Sequence, residues 1–196
     1  MNRLPLLVII LLFLGGVGCT TTQKGSKNNS KDTIHSTHKG EEEFQAYLDR
    51  KRNGFIGKKI PSLTIKGIDG KSYDPSKMKG KIVLLNFWFA ACKPCMTEIA
   101  SLNELQRKFK NDDLVVLSVS TDPQSIAEKL AVSKKMAYTV AANGKSIAES
   151  LKVVTFPTSF LVDQQGVIKE VFIGASADDA THTYSEVKPH IEALLK

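Results

Sequence analysis

The chain has 196 residues, 42% of them hydrophobic, three cysteines and a net charge of +7. That length suits one ordinary domain and a leader. The lysines are scattered, and no basic stripe alternates with aromatics, so nucleic acid is not expected as a partner; solvated charge is the better reading, with weak attraction to anionic lipid as its further use.

Residues 1–18 read as a secretory signal peptide: Arg3 gives a positive start, Leu4 to Leu14 is almost wholly apolar, and Gly15-Gly-Val-Gly18 supplies small residues. The apolar run is shorter than the roughly 20 residues of a comfortable membrane span. Cys19 follows at once and resembles the lipid-attachment cysteine of bacterial lipoproteins, although Gly16 stands where a Leu-like residue is usual. Residues 19–56 are then expected to be the lipid-anchor cysteine and a flexible tether, polar from 20 to 40. Glu41 to Arg52 reads either as a short helix, with Phe44, Tyr47 and Leu48 on one side, or as more tether. The domain is expected over 57–196.

Leu63 to Ile68 alternates as a strand, Asp69-Gly70 is a hairpin signal, and Ser72-Tyr73 begins the return. Lys81 to Phe89 is apolar except for Asn86, as in a strand buried on both faces. Met96, Ile99, Leu102, Leu105 and Phe109 recur at helical spacing, which predicts a helix from about Cys92 to Lys110. Leu114 to Ser120 is a second buried strand, and Asp122-Pro123 opens a helix to about Lys134 with Asp122 as its cap. A short strand over 138–141, a short helix over 145–151, a hairpin from Thr158 to Ile173 and a closing helix from Asp178 to Leu195 complete the chain. Strand–helix alternation before a terminal hairpin and helix predicts an α/β fold with a mixed sheet.

Cys92-Lys-Pro-Cys95 sits where the first central strand gives way to a helix. Pro94 is placed just inside the helix start, as proline prefers. Cys92 would then lie at a helix N-terminus, which stabilises a thiolate, with a second thiol one turn away. A C-x-x-C also serves as half a zinc site, but His35, His38, His182 and His190 are not at ligand spacing from it, so no metal is expected. A purely structural bridge over so short a loop constrains the unfolded chain little. Redox chemistry is the favoured reading, and an exported chain with one such pair fits it.

These motifs, in this order, resemble the thioredoxin-like fold, and more closely the TlpA/ResA group of exported thiol–disulfide oxidoreductases. The resemblance covers roughly residues 57–195. It is carried by Gly80-Lys-Ile-Val-Leu-Leu-Asn-Phe-Trp88, by the Cys92/Cys95 motif, by Glu98 three residues on, and by Phe156-Pro-Thr-Ser-Phe-Leu-Val-Asp163 around a family cis-proline. It implies a central mixed sheet flanked by helices, an N-terminal β-hairpin extension and an inserted helix–strand. Ala91 departs from the Trp often found before the first cysteine, which predicts wider access to Cys92. Asn86 replaces the buried Asp of cytoplasmic thioredoxins, and Ala100 stands where a Pro is usual.

The roles that follow are expectations. Cys92 is the nucleophile and Cys95 the resolving thiol, with a Cys92–Cys95 disulfide in the oxidised form. Lys93 either assists by charge or is simply solvated. Glu98 reads from its position as an exposed helix-start acid or a buried proton carrier; the resemblance favours the second. Phe156, Pro157 and Trp88 are assigned to substrate binding, Trp88 from the core side. A trans Pro157 is the norm, since only about 5–6% of X–Pro bonds are cis, but the resemblance implies cis. The function implied is that of an exported thiol–disulfide oxidoreductase, and no cofactor is expected.

 The enzyme would reduce protein disulfides outside the cytoplasm, in cytochrome c maturation for instance, on the extracytoplasmic or periplasmic face of the cell envelope. It would be a membrane-anchored lipoprotein and a monomer, fed by a membrane thiol electron donor. One alternative is a thiol peroxidase of the AhpC/TSA kind, which generally has a Thr three residues before the cysteine, where this chain has Phe89. A copper-binding thioredoxin-like module is the other, disfavoured because no His lies between His38 and His182.

Overall fold

The computed structural model describes residues 30–196, so Cys19 and the signal segment lie outside the described residues. Its first element is a helix, α1 (Ser30–Asn53). Over Glu41 to Arg52 the chain takes the helical one of the two readings. Arg50, Lys51 and Arg52 occupy the last turn of α1, where cations suit the negative end of the helix. Leu48 is buried, and Arg52 Nε donates to the carbonyl of Val171 at 2.9 Å. One compact unit runs from Gly40 to Lys196.

A small antiparallel pair follows, β1 (Ile65–Lys66) and β2 (Ser72–Tyr73), joined at Gly70, whose φ of 80° suits glycine. Asp74 staples its return: its carboxylate accepts from Ser62 Oγ, the Leu63 amide and Ser76. The central sheet comprises β3 (Ile82–Trp88), β4 (Leu114–Ser120), β5 (Thr139–Ala141), β6 (Thr158–Val162) and β7 (Ile168–Ile173). Their order is β5-β4-β3-β6-β7. β3, β4 and β5 are parallel, β6 pairs antiparallel with β3, and β7 pairs antiparallel with β6, which is the mixed sheet expected. Both edges carry further main-chain bonds: the Gly57 and Ile60 amides donate to Ile168 and Gly166 beside β7, and the Ile68 amide donates to Val140 on β5.

Alternation along β3 sends Ile82 and Leu84 to one face and Val83, Leu85 and Phe87 to the other. The first face is covered by α3 (Ile99–Lys108) and α6 (His182–Leu194), through Leu102, Leu105, Val187 and Ile191. The second packs against the N-terminal hairpin region and α5 (Lys145–Ser150). Before α3 lies α2 (Lys93–Thr97), and between β4 and β5 lies α4 (Gln124–Ser133). The single helix predicted from Cys92 to Lys110 is thus two segments. They meet at Glu98, whose ψ of −10° departs from helical values of about −42°. The closing helix starts at His182 and not at Asp178, because Asp179 accepts the Thr181 amide and hydroxyl in a turn of its own.

Candidate active site

Cys92 is the N-cap of α2, and its sulfur accepts the Cys95 amide at 3.2 Å. Cys92 and Cys95 are joined in a disulfide. The five residues of α2 make a short dipole, so the direct N–H contact is the stronger local stabiliser of a thiolate. Cys92 is 5% exposed and Cys95 1%. The wide access expected from Ala91 is therefore not found: an apolar collar that includes Phe89, Met96 and Phe156 packs around the pair. Phe89 and Phe156 meet edge to face at 5.3 Å.

The Phe156–Pro157 peptide is cis. Pro157 is buried, and its carbonyl accepts the Gly174 amide at 2.8 Å. The main chain of Phe156 makes no hydrogen bond among the described residues. Trp88 is 2% exposed and packs with the two cysteines. It belongs to the apolar cluster that holds the pair, the core side from which its part at the site is expected. Its indole Nε1 is buried without a partner among the described residues.

Glu98, the C-cap of α2, is 3% exposed. Asn86 Nδ2 donates to its Oε1 at 2.8 Å, and Thr183 Oγ1 donates to its Oε2 at 3.1 Å. Asn86 also donates to Ser159 Oγ at 3.0 Å and accepts from Ser118 Oγ at 2.9 Å. Burial lifts the Glu98 carboxyl from its usual 4.5 to about 7; the Asn86 and Thr183 bonds oppose that rise without cancelling it. The carboxyl can therefore take up or give up a proton near neutrality. Burial, with the Glu98 charge nearby, also pushes the Tyr138 phenol up. Lys93 pairs with Asp178 at 2.8 Å, but both side chains are largely exposed, so the pair contributes little. Among the described residues no cluster of His, Cys, Asp or Glu is arranged to hold a metal ion.

Sequence reasoning missed Ser118, Ser159 and Thr183 as partners of the Asn86–Glu98 pair. Ser118 and Ser159 had a signal: each interrupts an apolar strand in register with Asn86. Asp122 was placed as the cap of α4. In the structure Pro123 is the N-cap, and Asp122 Oδ2 accepts the Ala90 amide at 2.6 Å.

The model of the AhpC/TSA family matches residues 56–171. The chain belongs to this family. It is 32% identical over 186 residues to the thiol-disulfide oxidoreductase ResA of Bacillus thuringiensis, which covers 93% of this chain and 95% of that one. The thioredoxin-like protein YneN of Bacillus subtilis is 29% identical over 135 residues, covering 67% and 79%. Among solved structures, a thiol:disulfide interchange protein DsbE from Chlorobium tepidum superposes with a TM-score of 0.64 at 28% identity, covering 72% of this chain and 98% of that one. The thioredoxin-like fold is thereby shown. The ResA relative is named as a thiol-disulfide oxidoreductase and the Chlorobium tepidum structure as a thiol:disulfide interchange protein, and the Cys92–Cys95 pair has the spacing for a dithiol–disulfide cycle. The chain is a thiol–disulfide oxidoreductase. The peroxidase alternative is less supported, with Phe89 in place of the expected Thr.

Proposed function

We propose that this protein reduces disulfides of exported proteins, with Cys92 as nucleophile, Cys95 as resolving thiol and Glu98 as the proton carrier. The observation that carries the reading is the joined Cys92–Cys95 pair together with a buried Glu98 whose carboxyl titrates near neutrality. In the reduced protein the Cys92 thiolate attacks one sulfur of the substrate disulfide, and the other sulfur leaves as a thiolate. Cys95 then loses its proton to Glu98 and attacks Cys92, which releases the second substrate thiol and leaves Cys92–Cys95 oxidised. A thiol donor at the membrane restores the dithiol. Phe156 offers an unpaired main chain to an extended substrate, and Pro157 holds it beside the pair.

The leader, the acylated Cys19 and a monomer on the extracytoplasmic face belong to the same proposal, with apocytochromes c as one substrate class. No helix among the described residues is long and apolar enough to cross a membrane. The deciding experiment uses Cys95→Ser and Cys92→Ser proteins with a disulfide-bonded substrate. The first should trap a mixed disulfide through Cys92, seen by mass; the second should trap none. A reduction potential near about −270 mV fits the reducing direction, and one near about −120 mV refutes it. Trapping through Cys95 would reverse the roles.

A further inference from the structure

Asp122 lies outside every role described so far, yet its carboxylate reaches the loop that carries Cys92. The Cys92 amide donates to the carbonyl of Phe89 at 3.1 Å, which closes a turn over Phe89–Cys92. Ala90 is an inner residue of that turn, and its amide donates to Asp122 Oδ2 at 2.6 Å. Ser120 Oγ donates to the same oxygen at 2.9 Å and accepts the Asp122 amide at 3.0 Å. The anchor is itself fixed. The Thr121 amide donates to the Trp88 carbonyl at 3.0 Å, the Asn143 amide to the Asp122 carbonyl at 2.9 Å, and the Gly144 amide to the Ser120 carbonyl at 2.8 Å. Gly144 allows that approach, since a Cβ there would lie 2.2 Å from Val119 Cγ1.

We propose that Asp122 is a positioning residue for Cys92: by accepting the Ala90 amide, its carboxylate holds the Phe89–Cys92 turn so that the Cys92 sulfur meets the Cys95 amide. The inference rests on the reading of Cys92 as the nucleophile. Without Asp122 the turn loses its inner anchor, the sulfur–amide contact loosens, and the thiolate is less favoured. Lys93, Asp178 and Glu98, the other charged groups around the motif, are untouched by a change at Asp122.

The test uses the full chain, reduced, with Cys95→Ser as the reference background. The rate of Cys92 alkylation by iodoacetamide is followed against pH, and mass spectrometry locates the label. Asp122→Ala should raise the alkylation midpoint by about one pH unit, so that labelling below it slows roughly tenfold. Asp122→Asn should keep the reference midpoint, because its amide oxygen still accepts the Ala90 N–H. A midpoint unchanged in Asp122→Ala, with only a lower melting temperature, would overturn the proposal. So would a fall in both variants, which would mean the carboxylate acts through its charge, or an equal rise in both. If Asp122→Ala does not fold, Ser120→Ala should raise the midpoint in the same direction, and no change there would be a refutation. A reference midpoint at or above the free-cysteine value of about 8.5 would instead break the nucleophile reading, and this proposal with it.

Discussion

Replacing Glu98 by Gln removes one titrating group and keeps its shape. Asn86 can still donate to the amide oxygen, and the Thr183 hydroxyl can turn to accept from the new NH2. In the folded protein Glu98 keeps its proton up to about pH 7, whereas its usual value is 4.5. Between those values the unfolded chain has released a proton that the folded chain retains. Stability from this group is therefore complete below about pH 4.5, declines as pH rises through the window, and is lost above about pH 7. At about 1.4 kcal/mol per pKa unit, the loss is roughly 3 kcal/mol. Urea unfolding of the oxidised protein, read by Trp88 fluorescence from pH 4.5 to 8, measures it. Subtracting the wild-type profile from that of Glu98→Gln cancels the other titrating groups. The variant should gain roughly 3 kcal/mol over wild type across the range; parallel profiles would refute the argument that Glu98 is a neutral buried acid.

Thr183→Val deletes a donor that opposes the rise at Glu98, so the window in the same unfolding experiment should move to higher pH; an unmoved midpoint would show that the hydroxyl does not act on the carboxyl. Gly144→Ala drives a Cβ into Val119 and against the Ser120 carbonyl, and should cost about 1–3 kcal/mol in urea unfolding. No loss would mean that the end of β4 yields freely. In steady-state disulfide reduction, Glu98→Gln should lower the rate by about 100-fold and abolish the inflection near neutrality; an unchanged pH profile would remove Glu98 from proton transfer.

Much of this architecture was legible because it rests on local pattern. The uninterrupted apolar run at Val83–Leu85, the Asp69-Gly70 turn and the C-x-x-C at a strand end each report on near neighbours. The strands from Leu114 to Ser120 and Thr158 to Val162 fall where they were expected. What escaped depends on residues far apart in the chain. Thr183 meets Glu98 across 85 positions, and Asp122 meets Ala90 across 32. Asp122-Pro123 carried a strong local capping signal, but tertiary bonding claimed the carboxylate first. The break at Glu98 was hidden because the apolar spacing continues through it from Met96 to Leu105. Over Glu41 to Arg52 the local pattern allowed helix or tether, and the packing of Leu48 and the Arg52–Val171 bond that bear on it lay beyond any short window.

The short stretch from Gly57 to Ile68 has a consequence for self-association. An open sheet offers two rows of free amides and carbonyls on which another copy can polymerise. Here a single piece of chain occupies main-chain groups beside both outer strands, at Gly166 and Ile168 on one side and Val140 on the other. Strand addition by a stranger is thereby discouraged at the flanks, which under the proposed function leaves the unpaired main chain of Phe156 for an extended polypeptide.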